Sequence, residues 1–202
     1  MSYIATLKRI RNGRTNYRKR AALLLARSKF ITITVSDENV QAQVAYSLST
    51  GDVTITSSHS KELTRYGWNG SLNSIPACYL TGLLLGKKSL LKEVGEAILY
   101  TGRNSFTSRI AACLKGIIDA GMKVPASEGS FPPEDRLSGN HIAEYARMLQ
   151  EEDKDMYTSR FSKLIANNFN PMEYPTYVKK VKDQIVSSDS VATIAERDKR
   201  RE

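Results

Sequence analysis

The first 36 residues contain no acidic side chain. They hold nine basic ones, Lys8, Arg9, Arg11, Arg14, Arg18, Lys19, Arg20, Arg27 and Lys29, whereas the other 166 residues carry 21 basic and 21 acidic side chains. The whole formal charge of +9 therefore lies in this arm. An ordinary exposed helix neutralises itself by placing Glu four residues from Lys, and this segment cannot. Its natural partner is a polyanion, because each Lys or Arg that neutralises a phosphate releases a condensed counterion.

Other scarcities exclude chemistry. The two cysteines, Cys78 and Cys113, lie in apolar helical segments without metal-ligand spacing, which points to buried reduced thiols. The two histidines, His59 and His141, stand about eighty residues apart. His59 lies among Ser57, Ser58 and Ser60 without a G-x-S-x-G turn, and His141 shares a helix face with Glu144 in the manner of a surface pair or core contact. Gly82 and Gly86 sit inside an apolar helix rather than in a phosphate-binding loop. The strand order below is reminiscent of ribonuclease-H-like folds, but the first strand, FITITV, lacks the acid that two-metal chemistry requires. No catalysis, cofactor or small-molecule substrate is expected. No run approaches the roughly 18 apolar residues of a membrane span, and the first residues lack the apolar core of a secretory signal. A soluble, intracellular protein is expected.

What is present patterns into an α/β fold. At 202 residues and 41% hydrophobic, the chain can bury one core with appendages. Met1–Asn16 reads as an extended tail, loosened by Gly13. Thr15 or Asn16 then caps a helix whose Tyr17, Ala21, Leu24 and Leu25 share one face. Phe30–Val35 alternates Ile and Val with Thr, Val40–Tyr46 alternates around Gln41 and Gln43, and Val53 and Ile55 alternate with Thr54 and Thr56. Turns at Asp37–Asn39 and Gly51–Asp52 make these a three-stranded antiparallel meander with one apolar face.

The cover for that face is helical. Pro76 opens a segment carrying Ala77, Leu80, Leu83, Leu84 and Leu91, in which Gly82 and Gly86 permit close backbone approach. Ala97–Tyr100 reads as a fourth strand of the same sheet. After the loop Thr101–Thr107, Ser108 caps an amphipathic helix with Ile110, Leu114, Ile117 and Ile118 on one face, stopped by Gly121 and Pro125. The fold class is α/β: a mixed sheet with a three-stranded meander followed by α-β-α, a basic N-terminal arm and a helical C-terminal extension. Ala126–Gly139 is expected to run along the core as a loop. Short helices at His141–Leu149, Tyr157–Ile165 and Tyr177–Val186, separated by Glu151–Asp155 and Pro171–Pro175, must dock on the core or on a partner, with fraying from Ser187. The domain division is 1–29 (arm and helix), 30–125 (core) and 126–202 (extension).

The segment HSKELTRYGWNGSLNSIPACYLTGLLLGKKSL, which begins at His59, resembles the archaeal and eukaryotic form of the 5S-rRNA-binding large-subunit ribosomal protein, number eighteen in the universal scheme. GRTNYRKRAALLL at Gly13–Leu25, SRIAACLKGIIDAGMKVPASE at Ser108–Glu128 and FPPEDRLSGNHIAEYA at Phe131–Ala146 agree in the same order. The absence of the longer eukaryotic extensions favours the archaeal type. The resemblance implies a cytoplasmic, non-catalytic constituent of the large ribosomal subunit at the central protuberance. Such a protein binds 5S rRNA and attaches it to the large-subunit (23S-type) rRNA. Neighbouring large-subunit proteins, including the other 5S-rRNA-binding protein, would be its further partners.

The RNA-contact candidates follow from both readings. In the arm they are Lys8, Arg9, Arg11, Arg14, Asn16, Tyr17, Arg18, Lys19, Arg20 and Lys29, with Tyr17 either stacking on a base or covering the core. His59, Ser60 and Lys61 offer backbone contact, while Tyr66 and Trp68 offer a stacked ring or a loop anchor. Lys87 and Lys88 either meet phosphate or complement a helix dipole. Arg103, Ser105, Thr107, Ser108 and Arg109 form a loop opening onto a helix N-terminus, a ready phosphate site. The first hairpin turn is acidic where the family commonly carries basic residues, so no RNA contact is expected there. The family's LDIG reads Leu99-Tyr100-Thr101-Gly102, and residues from about 150 onward match no family motif.

Overall fold

Thr and Ile alternate along β1 (Lys29–Val35), and that alternation gives the sheet two unlike faces. The computed structural model describes residues 8–12, 15–102 and 105–187; Arg14, Arg103 and the expected fraying beyond Ser187 lie outside the described residues. β1 pairs antiparallel with β2 (Val40–Ser47), which pairs antiparallel with β3 (Asp52–His59). β4 (Ile98–Leu99) joins the other side of β1 in parallel, giving the order β3-β2-β1-β4. A parallel partner needs a crossover, and α3 (Ile75–Leu91) supplies it. Ile31, Ile33, Val40, Ala42 and Val44 point toward α3 and are buried.

Apolar residues surround α3 because every side of it is covered. The sheet lies on one side, α4 (Ser108–Asp119) on a second and α8 (Tyr174–Ser187) on a third. Contact with α4 is made at backbone level: a Cβ on Gly82 would collide with the carbonyl of Cys113, and one on Gly116 with that of Tyr79. Cys78 and Cys113 are buried free thiols. The expected strand meander, its crossover helix and the fourth strand are all present.

The C-terminal extension closes the same core. Its helices are α5 (Glu134–Ser138), α6 (Asn140–Glu152), α7 (Lys154–Ala166) and α8. Tyr174, Val178, Val181 and Ile185 make the buried stripe of α8 at helical spacing. Trp68 stacks edge-on against Phe169 and Tyr174 at 5.6 and 5.5 Å, and the Tyr174 hydroxyl meets Ser74 Oγ at 3.0 Å. Between α6 and α7, Ala146, Leu149 and Phe161 form a smaller cluster. At the far side of the sheet, β3 is an edge strand. Two of its carbonyls are capped from α3 and its end: Lys88 Nζ donates to Ser57 and Lys92 Nζ to Ile55, at 3.0 and 2.8 Å. An edge so occupied offers less template for pairing with another chain.

Several local expectations change. Lys8–Arg11 is a short helix, α1, rather than extended chain, and it buries nothing. Asn16, not Thr15, caps α2 (Tyr17–Ala26), its side chain accepting from the Lys19 N–H at 3.1 Å. The buried residue of α2 is Leu23, while Leu25 is 85% exposed, because the patch that receives this helix is only one leucine wide. Thr107 caps α4 in place of Ser108. The stretch expected as a loop holds a 3₁₀ turn at Glu128–Ser130 and α5, whose Glu134 and Asp135 complement a helix N-terminus. Leu91 is exposed at the end of α3, beyond the covering helices.

The backbone contact between α3 and α4 makes Gly82→Ala an overpacking change, expected to destabilise by about 3 kcal/mol in urea denaturation. Gly95→Ala, where a Cβ meets nothing within 4 Å, should leave the midpoint nearly unmoved.

Candidate nucleic-acid interface

The face of the sheet turned away from α3 and α4 is polar and carries no Asp, Glu, Lys or Arg at its centre among the described residues. Register places Thr32 beside Gln43 and Ser57, and Thr34 beside Gln41 and His59, in two rows across three strands. All six are exposed or half-buried. The period-two pattern of Thr and Gln was the only sequence signal of this surface, and it marks strands equally well, so these positions other than His59 were not expected as contacts.

Helix α2 lies over one end of this face. Leu23 packs against Phe30 and Ala45, with Ile98 and Tyr100 beside them, and the rings of Phe30 and Tyr100 meet edge-on at 5.6 Å. Two polar contacts fix its direction. Arg20 Nη1 reaches Asp52 Oδ2 at 2.7 Å, and Ser47 Oγ donates to Asp52 Oδ1 at 2.6 Å. Burial pushes the Asp52 carboxyl up, but the hydrogen bonds from Arg20 and Ser47 outweigh it and hold the group below its usual range. Arg20, raised by its bond to Asp52, is thus committed to the fold rather than free for phosphate. Lys19 Nζ donates to the Gly102 carbonyl at 3.3 Å, which ties α2 to the loop before α4.

With α2 so held, its remaining cations face outward. Arg18 and Arg27 are exposed and without an ion pair among the described residues. Lys8 and Arg11 are exposed on α1, and Arg9 Nε donates to Thr15 Oγ1 at 2.8 Å. Lys29 is half-buried at the start of β1, and Asn16 is spent as a cap. Tyr17 is 37% exposed and belongs to no apolar cluster among the described residues. In the loop before α4, Ser105, Thr107 and Ser108 are exposed and Arg109 is half-buried.

The turn after β3 is arranged differently from the sequence expectation. Ser60–Tyr66 forms a 3₁₀ helix with a capping box: His59 Nδ1 accepts from the Lys61 N–H at 3.1 Å, and Glu62 Oε1 accepts from the His59 N–H at 3.0 Å. Ser60 is buried with Oγ accepting from the Val40 N–H, Tyr66 is buried, and Trp68 is fully buried with Nε1 donating to the Ser71 carbonyl. Lys88 is buried on Glu62 and Ser57, and Lys87 Nζ donates to the Val186 carbonyl at 3.2 Å. Ser60, Tyr66, Trp68 and Lys88 are therefore packed into the core: Ser60 and Lys88 satisfy groups of the sheet and of the turn itself, and Trp68 is the loop anchor of its two readings, held by Phe169 and Tyr174 of the C-terminal extension. Lys61 stays exposed.

The Arg20–Asp52 contact carries a pH signature. With the Asp52 carboxyl held low in the fold, its contribution is full above the ordinary carboxylate pKa of about 3.9 and is lost as pH falls through the folded value. Asp52→Asn should melt below the wild-type protein at pH 7, by no more than about 1 kcal/mol for so exposed a pair. Melting curves repeated at successively lower pH should draw the two together as the folded Asp52 carboxyl is protonated.

Residues 2–108 match the family described as ribosomal large subunit proteins 60S L5 and 50S L18. The chain is 40% identical over 185 residues to the large ribosomal subunit protein uL18 of Thermofilum pendens, covering 91% of this chain and 94% of that protein. It is also 40% identical over 182 residues to the uL18 of Methanococcus maripaludis, covering 89% and 94%. Matches of this length run past residue 150, so the segment without a recognisable motif is shared with these relatives. On both the family match and the relatives, the chain belongs to the family of large-subunit ribosomal proteins that comprises 60S L5 and 50S L18, in its archaeal and eukaryotic form, a family of structural and non-enzymatic proteins.

Proposed function

We propose that this protein binds 5S rRNA and attaches it to the large-subunit rRNA at the central protuberance of the ribosome. The observation that carries this reading is an acid-free helix, α2, with exposed Arg18 and with exposed Arg27 at its end, packed over one end of a sheet face whose centre holds Thr, Gln and Ser side chains and His59. Cations on phosphates position an RNA, and neutral hydroxyls and amides suit 2′-hydroxyls and the sugar edge of an A-form groove. Acidic residues would repel such a ligand, and the centre of this face has none.

The three stretches of the chain take different parts in this function. The arm, residues 1–29, supplies affinity through Lys8, Arg9, Arg11, Arg14, Arg18 and Lys19. The core, residues 30–125, presents the polar face together with the loop of Arg103, Ser105, Thr107, Ser108 and Arg109. The extension, residues 126–202, turns toward neighbouring large-subunit proteins, the other 5S-rRNA-binding protein among them. Lys61 and Lys87 lie away from the arm and suit the second, large-subunit rRNA.

A filter-binding titration of 5S rRNA with tRNA as competitor tests the reading. If about six phosphates are neutralised, affinity falls on the order of a thousandfold between 50 and 200 mM salt. Replacing Arg18 and Arg27 by Ala should lower the salt slope by about two and leave the melting temperature unchanged, since neither has an ion pair among the described residues. Equal affinity for tRNA and 5S rRNA at the higher salt would defeat the assignment of 5S rRNA as the ligand.

A further inference from the structure

Of the five phenylalanines, Phe30, Phe161 and Phe169 are buried and Phe131 is half-buried, while Phe106 is 45% exposed. A phenyl ring has no polar atom to gain from water, so leaving it outside forgoes the stabilisation its burial would bring. Single exposed apolar side chains are common on protein surfaces, and exposure alone assigns nothing. Its surroundings are what distinguish this one.

Phe106 stands between Ser105 and Thr107, and no residue from 97 to 118 is acidic, whereas Arg103, Arg109 and Lys115 are basic. Thr107 is the N-cap of α4, with its side chain bonded to the Ile110 N–H, so the ring sits one residue from a fixed helix start. The same loop is held to the basic helix through Lys19 and the Gly102 carbonyl. No other large hydrophobic side chain between Leu91 and Tyr145 is exposed among the described residues. A protein partner would need a contiguous apolar patch with a desolvated centre, and an isolated ring among hydroxyls and cations does not provide one. A flat base needs only one ring face, with positive charge and hydroxyls nearby for its backbone.

We infer that Phe106 is a stacking platform for an unpaired base of the bound RNA, with the Ser105 and Thr107 hydroxyls and the Lys19 and Arg109 side chains around the adjoining backbone. This deepens the RNA-binding reading above and rests on it. Stacking on a side chain that carries no charge separates from phosphate contact by its salt behaviour. Removal of the ring weakens binding by the same factor at every salt concentration, whereas loss of a cation changes the slope.

The test uses the full chain and 5S rRNA, with Phe106→Ala, Phe106→Leu and Phe106→Trp titrated at 50, 100 and 200 mM salt. Phe106→Ala and Phe106→Leu should each bind about tenfold more weakly with the salt slope unchanged, and Phe106→Trp should bind at least as tightly as wild type. Wild-type affinity in Phe106→Ala overturns the inference, and so does full affinity in Phe106→Leu, which would mean a general apolar contact. Wild-type protein that shows no preference for 5S rRNA over tRNA overturns the functional reading, and this inference with it. Intact wild-type preference with an unaffected Phe106→Ala overturns this inference alone. Melting curves of the three variants should superimpose on wild type, because the ring belongs to none of the buried clusters among the described residues.

Discussion

The backbone contact between α3 and α4 at Gly82 and Gly116 sets the geometry on which the rest depends. Two helices this close leave no room for a Cβ at either glycine, and their separation fixes how far α4 stands from the sheet. With α4 drawn in, α3 becomes the centre of the molecule, covered by sheet, α4 and α8 together. One consequence is thermodynamic: nearly every residue of α3 can be apolar. The other is functional, because all of the helical cover lies on one face of the sheet except α2, and the opposite face is left to polar residues.

Cations in this protein divide into those consumed by the fold and those left outside it. Lys88 lies buried between Glu62 and the Ser57 carbonyl, and replacing one partner would strand the other in a poorly solvated place. Arg20 holds Asp52 and thereby points α2 along the sheet. Lys19 donates one hydrogen bond to a backbone carbonyl and remains exposed. Lys88 and Arg20 read in the sequence as members of one lysine pair and one basic arm. Only the acids and carbonyls placed beside them by folding separate them from Arg18 and Arg27. The excess charge of the arm is therefore smaller at the surface than its composition implies, and more sharply directed.

The strands, the two central helices and the fourth strand were legible because their apolar residues recur at periods of two or 3.6 over long stretches. What was illegible depended on contacts between residues far apart in the chain. Nothing local to Trp68 says that Phe169 and Tyr174 will enclose it, and a tryptophan in a glycine-rich loop suits a ligand as well as a core. Ser60 looked available because its neighbours are polar, yet its hydroxyl satisfies the N–H of Val40 twenty residues away. Leu23 does not stand out in the sequence because the helical stripe with more apolar members runs through Leu24 and Leu25. Burial is decided by the small patch of Phe30, Ala45, Ile98 and Tyr100, not by the helix. The rows of Thr and Gln have a period that marks a strand, and only the pairing of three strands turns them into one surface.

The C-terminal extension explains why one face alone is open. Had α5 to α8 been absent, Trp68, Leu63 and the outer side of α3 would form a large apolar surface in need of a partner. The stripe of Tyr174, Val178, Val181 and Ile185 covers that surface from within the chain, and the aromatic cluster with Phe169 locks it in place. The side of the molecule facing the extension is thus closed with hydrocarbon, and the side facing α2 is left hydrated and positive. The packing that stabilises the core thereby also decides which cations and polar groups stay outside it: those of the sheet's outer face and of α2, rather than the side chains gathered under the C-terminal helices.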